Sequence, residues 1–531
     1  KAKKFILQQG GISKTRIFTK FHLALIGCYD WGGIPSIPPW IMLLPDEGFF
    51  SIYELSSWAR GSTVPLIIVF DQKPIFAVNP IINLDELYTE GINSVKYELP
   101  RADDWTDLFV NLDDAFKIAE NLNLVPFRHE GLQAAEKWIL ERQEVSGDWG
   151  GIIPAMLNSM LALRCLNYDV NSPIVQRGFA AIDNFAIEEE QSYRIQPCIS
   201  PVWDTAWCVK ALVESGLKAN HPQVQKGGEW LLDKQIFTYG DWRVKNKAAH
   251  PGAWAFEFDN NFYPDVDDSA VVVMALNDIE LVNEDVKQQA ITRCLNWITS
   301  MQCRGGGWAA FDVNNDQHWL NLLPYSDLKA TIDPNTADVT ARVLEMVGQC
   351  HLPMRYKRVQ SAIAYLIEEQ EADGSWFGRW GVNYIYGTSG TLAALCQIAP
   401  ETCEQNIARG AKWLIGCQNQ DGGWGETCHS YTQPHLKGKG DSTASQTAWA
   451  LIGLLAASNY LSDKGMKAIS TGVHYLVTTQ KDDGTWNEDY FTGTGFPQHF
   501  YLKYHMYQQY FPLLALGRYQ KLLQQRPHIY N

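Results

Sequence analysis

Trp413-Leu414-Ile415-Gly416-Cys417-Gln418-Asn419-Gln420-Asp421-Gly422-Gly423-Trp424 holds the pattern that decides the fold. An aromatic is followed five residues on by Gln and six further on by Trp, with Gly two before the Trp. The pattern returns as Trp138…Gln143…Gly147-Asp148-Trp149, Trp297…Gln302…Gly306-Gly307-Trp308, Tyr365…Gln370…Gly374-Ser375-Trp376 and Tyr475…Gln480…Gly484-Thr485-Trp486. A looser copy, one residue longer, reads Trp230…Gln235…Asp241-Trp242. Ahead of the first Gln, Leu132, Ala135, Trp138 and Ile139 fall on one face of a helix. Gly and Asp then make a turn, and an apolar helix follows, as in Thr447-Ala448-Trp449-Ala450-Leu451-Ile452. Each unit is therefore helix, Gly turn, helix, and such hairpins stack on their neighbours. Six of them close naturally into a toroid of paired helices, an α/α barrel. The Gln is expected to bond the orphan carbonyls of its own helix end, or to lie on a neighbouring indole, and so to tie outer helices together. The Trp residues are expected to pack the turns and to carry no chemistry.

A chain of 531 residues exceeds one ordinary core, in keeping with such an array. Apolar residues make up 46% and charged ones 19%, a globular balance. The 59 acidic against 44 basic side chains give −15, which disfavours nucleic acid as a partner. No apolar run approaches the ~20 residues of a spanning helix. The eleven cysteines are odd in number and form no CxxC pair, which reads as reduced, packed thiols in a cytosolic-facing protein. The opening Lys1-Ala2-Lys3-Lys4-Phe5 lacks Met and a signal-peptide pattern, so a true N-terminus upstream is expected.

The sharpest cluster is Tyr263-Pro264-Asp265-Val266-Asp267-Asp268-Ser269-Ala270, running into Val271-Val272-Val273-Met274-Ala275-Leu276. Pro then Asp marks a helix start, which puts three carboxylates in the first turn of an apolar helix. Three such neighbours cannot all ionise cheaply, so at least one should stay protonated at neutral pH. Surface capping would explain the bare Asp-Asp pairs at 113–114 and 482–483. Asp-rich clusters also bind Mg2+, though cages for that ion more often use Gly-rich or two-helix spacing. A neutral Asp in an apolar cavity can protonate a substrate with no better basic site, such as a carbon–carbon double bond. The resulting cation must then be kept from water. The chain's 20 Trp, 23 Tyr and 22 Phe could hold it through cation–π attraction, ~0.5–2 kcal/mol for each ring.

Asp265-Val266-Asp267-Asp268 with five Gln…Gly-x-Trp copies resembles the squalene–hopene cyclases, class II triterpene cyclases, over essentially the whole chain. Ser200-Pro201-Val202-Trp203-Asp204-Thr205, Phe377-Gly378-Arg379-Trp380-Gly381-Val382-Asn383-Tyr384, Ser445-Gln446-Thr447-Ala448-Trp449-Ala450-Leu451 and Thr492-Gly493-Thr494-Gly495-Phe496-Pro497 match as well. The Asp-Cys-Thr-Ala-Glu of oxidosqualene cyclases is absent. The resemblance implies an all-α protein of two α/α barrels of the α6–α6 toroid type, with a central apolar cavity between them. Residues 1–199 would be the inserted barrel, incomplete at its N-terminal side and carrying a membrane-contact segment, and residues 200–531 the catalytic barrel. It implies cyclisation of squalene to hopene or hopanol, an isomerase reaction begun by Asp267 as proton donor, with no cofactor and no metal. Asp265 and Asp268 would sit beside the donor, with Asp204 and Asp338 as accessory carboxylates of the same site. Arg342 stands where a His is usual and, being always charged, would favour the ionised acid. Tyr386 matches a residue associated with a water near the acid.

By the same resemblance, Trp58, Trp203, Phe256, Trp380, Phe496, Phe500, Tyr504 and Tyr507 match cavity positions, and Phe311 replaces a Tyr. The spacing of Phe496, Phe500, Tyr504 and Tyr507 would put them on one face if the segment is helical. In Gly150-Gly151-Ile152-Ile153-Pro154, Ile153 stands where a polar Gln is usual, and Asn158 stands near a usual Tyr. That region belongs to the end of the cavity where the last cation loses its proton, so the alkene-to-alcohol ratio turns on it. Residues 105–127 resemble a segment that dips into one leaflet. Trp105, Leu108, Phe109, Leu112, Phe116 and Ala119 keep helical spacing there, a pattern that also fits a buried face. The implied location is monotopic, on the cytoplasmic side of the cell membrane, with squalene and lipid as partners, no nucleic acid, and room for a homodimer. Two rivals are a cyclase of another prenyl chain and a non-catalytic α/α-barrel module binding carbohydrate or peptide.

Overall fold

A computed structural model of the chain describes residues 1–526 apart from 49, 80, 81, 100, 102, 103, 325 and 354. Among these residues the chain forms eighteen α-helices and two two-stranded hairpins, so it is mostly helical. It divides into two units, Lys1–Ile199 with Asn315–Asp333, and Ser200–Asn314 with Pro334–Asn531. A single division at residue 200 would give 315–333 to the second unit, yet this excursion packs in the first. There Asn315 Nδ2 donates to Glu54 O at 3.0 Å, Ser56 N donates to Thr331 O at 2.8 Å, and Leu55, Leu320 and Ile332 share an apolar cluster.

The first unit contains α1 (Ala2–Gln8), α2 (Ile17–Leu25), α3 (Ser57–Gln72), α4 (Asp104–Asn121), α5 (Arg128–Glu141), α6 (Ile153–Cys165), α7 (Pro173–Asn184) and the hairpin β1 (Ala186–Glu189)–β2 (Ser192–Ile195). Its core is α3 against α5 and α6. The run Val64–Phe70 on α3 is buried throughout, with Ala135, Ile139, Met156 and Leu163 in the same cluster.

The second unit follows the alternation expected of stacked hairpins. It contains α8 (Pro201–Glu214), α9 (Pro222–Asp233), α10 (Val266–Asn277), α11 (Glu284–Ser300), α12 (Ala337–Gln349), α13 (Lys357–Glu368), α14 (Tyr384–Ile398), α15 (Glu404–Gly416), α16 (Ala444–Ala456) and α17 (Asp463–Thr479). The hairpin β3 (Gly493–Phe496)–β4 (Phe500–Leu502) and α18 (Tyr507–Gln525) complete it. Helices α8, α10, α12, α14, α16 and α18 pack each on the next, and α18 packs on α8. A helix that is apolar all round must be buried all round, and Val266–Leu276 of α10 is buried without a break. The flanking helices are amphipathic. On α13 the buried positions are Val359, Ala362, Ile363, Tyr365 and Leu366, one stripe facing the core.

The Gln and Trp of the repeats have separate tasks. Trp149, Trp254, Trp308, Trp376, Trp424 and Trp486 each donate their indole N–H at 2.6–2.8 Å to a carbonyl in the last turns of the preceding helix. The indole, rather than the Gln, thus answers that helix end. The Gln amide reaches outward instead. Gln418 Nε2 donates to Gly422 O at 2.7 Å and to Ala468 O on α17 at 2.8 Å. Gln302 ties to α13, Gln370 to α15, Gln235 to α11 and, in the first unit, Gln143 to α7. The looser copy is corrected by these bonds. Gln235 pairs with Gly252 O, and the indole of its unit is Trp254, not Trp242. The Gly-x-Trp signal stands in the sequence as Gly252-Ala253-Trp254, displaced by a longer loop.

All eleven cysteines are unpaired and none is exposed, so they serve as small packing residues.

The turn Gly is needed twice over. Gly422 has φ +88°, and a Cβ there would stand 2.6 Å from Thr471 O on α17. Gly422→Ala should therefore lose about 1–3 kcal/mol, seen as a lower thermal midpoint by circular dichroism. Gly416→Ala, in open space near the end of α15, should hold or raise that midpoint, since Ala outranks Gly in a helix by up to ~1 kcal/mol.

Candidate active site

Asp265 is the N-cap of α10, and its Oδ1 accepts the backbone N–H groups of Asp267 at 2.6 Å and Asp268 at 3.0 Å. The acidic triplet is thus one cap followed by two carboxyls in the first turn. Asp265 N donates to Trp254 O, which seats this start on the Trp254 turn. All three acids are buried, with Asp267 only 6% exposed.

Arg342, in the second turn of α12, directs Nε to Asp267 Oδ1 at 3.2 Å and Nη1 to Glu345 Oε2 at 2.9 Å. Its guanidinium lies 4.7 Å from the ring centre of Trp207 on α8. Burial pushes Asp267 up, Arg342 pulls it back, and Asp338 and Glu345 add to the rise, leaving it at about 7. A rise from 3.8 to that level favours the neutral acid by about 4 kcal/mol. Asp268 is pushed well above its ordinary value by burial and then by Asp265, Asp267 and Glu257, so it keeps its proton. Burial likewise raises the Tyr386 hydroxyl, which lies beside Arg342 and Asp267. A void of about 20 Å3, room for one water molecule, borders Arg342, Glu345, Tyr386, Trp449 and Arg518.

Asp338 and Asp204 do other work than pairing with Asp267. Asp338, in the first turn of α12, accepts the Arg379 and Trp380 backbone N–H groups at 2.7 and 2.8 Å on one oxygen. Thr336 Oγ1 donates to its other oxygen at 2.6 Å. Asp338 therefore fixes the loop that presents Trp380, whose ring stands 6.2 Å from Phe311. Asp204 is half-buried and accepts Ser200 Oγ at 2.8 Å and Tyr510 Oη at 3.1 Å, and burial raises it.

The aromatic residues of this unit form connected sets. Phe256 meets Tyr504 edge-on at 6.2 Å, and Tyr504 stacks on Tyr507 at 4.5 Å. Tyr507 meets Trp449, and Trp449 meets Tyr386 at 4.8 Å. Through Tyr510, Tyr507 also connects to Trp207 and then Trp203. The stripe Phe496–Phe500–Tyr504–Tyr507 is not one helical face. Phe496 and Phe500 are register partners across β3–β4, closed by Pro497 and by Gln498 at φ +72°, and only Tyr507 lies on a helix. The Phe496 and Phe500 rings still meet, 6.1 Å apart.

Trp58, Ile153 and Pro154 belong to the first unit. Trp58 is half-buried with Nε1 donating to Ala330 O at 2.6 Å, Ile153 begins α6, and Pro154 is exposed. Sequence reasoning missed Trp207, Glu345, Tyr510 and Arg518. The available signal was Glu345 three residues after Arg342 on an otherwise apolar helix face, which calls for a buried cation.

The profile of the squalene-hopene cyclase C-terminal domain matches residues 199–521, and that of the N-terminal domain residues 1–191. A dammaradiene synthase of Dryopteris crassirhizoma is 54% identical over 99% of this chain and 79% of its own length. A squalene–hopene cyclase of Alicyclobacillus acidocaldarius is 44% identical over 99% of this chain and 82% of its own. Among solved structures, an ent-copalyl diphosphate synthase of Streptomyces platensis aligns at 15% identity and a TM-score of 0.44, covering 94% of this chain and 98% of that one.

The Asp267 carboxyl should titrate near pH 7 in infrared difference spectra, in a band that Asp267→Asn removes. The guanidinium favours the carboxylate, so Arg342→Gln should move the midpoint upward, by about 1–3 pH units. A midpoint that stays or falls would remove Arg342 from the control of this acid.

Proposed function

The chain belongs to the squalene–hopene cyclase family, the class II triterpene cyclases, and on that premise we propose that it cyclises squalene by proton transfer from Asp267. The observation that carries this reading is a buried carboxyl held near half-protonation at neutral pH, with Tyr386 beside it and aromatic rings continuing from Tyr386 to Phe256. A squalene-type polyene has no polar handle, so such a site must recognise it by shape and apolar contact.

In the proposed reaction the Asp267 proton goes to one carbon of a terminal double bond, leaving a tertiary cation and an Asp267 carboxylate. Each further double bond attacks the cation before it, closing a ring and moving the charge along the chain. Loss of a proton from the last cation gives an isomer of squalene, and capture of water gives an alcohol. Trp203, Phe256, Phe311, Trp380, Phe496, Phe500, Tyr504 and Tyr507 would stabilise successive cations at ~0.5–2 kcal/mol for each ring contact. Asp265 and Asp268 serve the donor through the helix cap, and Asp338 through the seating of Trp380. The cyclic packing of α8, α10, α12, α14, α16 and α18 supports the α/α-barrel reading of residues 200–531.

Three products are in contention. The family supports hopene or hopanol, and the identity to a dammaradiene synthase supports dammaradiene.

An oily substrate should be taken from lipid, and the first unit offers a surface for that. Trp105, Leu108, Leu112 and Ile118 of α4 are exposed, as are Leu122, Leu124 and Phe127 beyond it, the last two at 67%. Among the described residues no helix is long and apolar enough to cross a membrane. The segment 105–127 is proposed to rest in one leaflet, on the cytoplasmic side.

Incubation with squalene, followed by gas chromatography–mass spectrometry against hopene, hopanol and dammaradiene standards, tests the activity and identifies the product. Mass alone cannot separate isomers. Asp267→Asn should reduce all cyclised products by at least about 100-fold while the circular dichroism spectrum is kept. Undiminished turnover would refute Asp267 as donor. For the lipid contact, Leu124→Glu with Phe127→Glu should lower co-flotation with phosphatidylcholine vesicles by roughly tenfold or more. With the protein at −15, added salt should not weaken the wild-type attachment.

A further inference from the structure

Arg342 divides its guanidinium between two carboxyls, and the second has no place in the reaction described above. Glu345, buried one turn along α12, accepts Arg342 Nη1 at 2.9 Å on Oε2 and Arg518 Nη2 at 3.4 Å on Oε1. Arg518 of α18 also donates to Glu214 Oε1 of α8 at 3.3 Å. Glu214 takes Lys210 at 3.3 Å and the half-exposed Lys521 at 3.2 Å, and Lys210 pairs with Asp278 at 2.8 Å. Charges of alternating sign thus run from Asp267 through Arg342, Glu345, Arg518 and Glu214 to the surface.

The titratable groups around the donor come from five core helices, and α16, which borders the same void with Trp449, contributes none. Asp265 and Asp268 lie on its own element with Glu257 beside them, Asp338 and Glu345 on α12, Tyr386 on α14, Lys210 and Glu214 on α8, and Arg518 on α18. Burial works to raise Glu345, but Arg342, Arg518 and Lys210 hold it below the ordinary carboxylate value, so it is charged. A charged Glu345 attracts the same guanidinium that Asp267 does.

We infer that Glu345 is a positioning residue that anchors Arg342 and takes up part of its charge, so that the guanidinium supports proton donation by Asp267 without stripping the proton beforehand. Arg518 sets the strength of this device, because it draws on the other oxygen of Glu345. The inference rests on the reading of Asp267 as donor. The two carboxylates compete for one cation, and each variant below shifts that competition in a known direction.

The test is the pH profile of squalene cyclisation in the full chain, with Asp267→Asn as the zero. The donor works protonated, so activity falls as pH rises through its midpoint. Glu345→Gln releases Arg342 to Asp267, and its alkaline limb should move down by about one pH unit. Glu345→Asp keeps the charge and should return the limb toward wild type. Arg518→Met leaves more of Glu345 for Arg342 and should move the limb up. A Glu345→Gln limb at the wild-type position, whatever its rate, overturns the inference, since a merely structural residue changes rate or melting but not the limb. Should Glu345→Gln not fold, Arg518→Met decides, and an absent or downward shift overturns the proposal. Product formation by Asp267→Asn would instead sink the donor reading itself.

Discussion

Asp267 and Arg342 meet at 3.2 Å between α10 and α12, two helices buried on nearly every side. Such a pair is a weak source of stability, because withdrawing each charge from water costs several kcal/mol and the attraction only partly offsets it. Here the conflict is left unresolved in a productive way. Burial drives the proton onto Asp267, the guanidinium drives it off, and the balance falls near neutrality. The rest of the second unit keeps that balance from relaxing. The Asp265 cap fixes the first turn of α10, the unbroken apolar run behind it excludes water, and Trp207 covers the guanidinium.

A division of labour makes this arrangement affordable to the fold. Bracing is done among the flanking helices, where Gln143, Gln235, Gln302, Gln370 and Gln418 join one to the next and each Trp closes the end of its own. The beginnings of the core helices are therefore available for functional side chains. Asp265, Asp338, Tyr386 and Tyr507 all lie at or within the first turn of a core helix. Asp338 fastens the Trp380 loop with one carboxyl oxygen and accepts Thr336 with the other.

Much of this was legible in the residues alone. Helix-turn-helix units followed from fixed-spacing Gln, Gly and Trp, and the buried acid from a carboxylate triplet joined to an apolar helix. Three things were not. The aromatic run after Gly495 has spacing that fits a helix, but Pro497 and the left-handed Gln498 fold it into a hairpin. Residues 315–333 leave no compositional mark of packing with the first unit, because that depends on contacts far apart in the chain. The partners of Arg342 come from α8, α10, α12 and α14, and such convergence is a property of three dimensions that no linear spacing encodes.

The copy at Gln235 carries a lesson about how these proteins can change. Sixteen residues separate Gln235 from its glycine, where the other copies need three, yet both bonds are made. The fastening depends on its two ends and is indifferent to the length of chain between them. A lineage could therefore lengthen or trim this loop while both fastenings are kept. A count of the fastenings based on fixed separation would overlook this one, in a turn that leads directly to the acid.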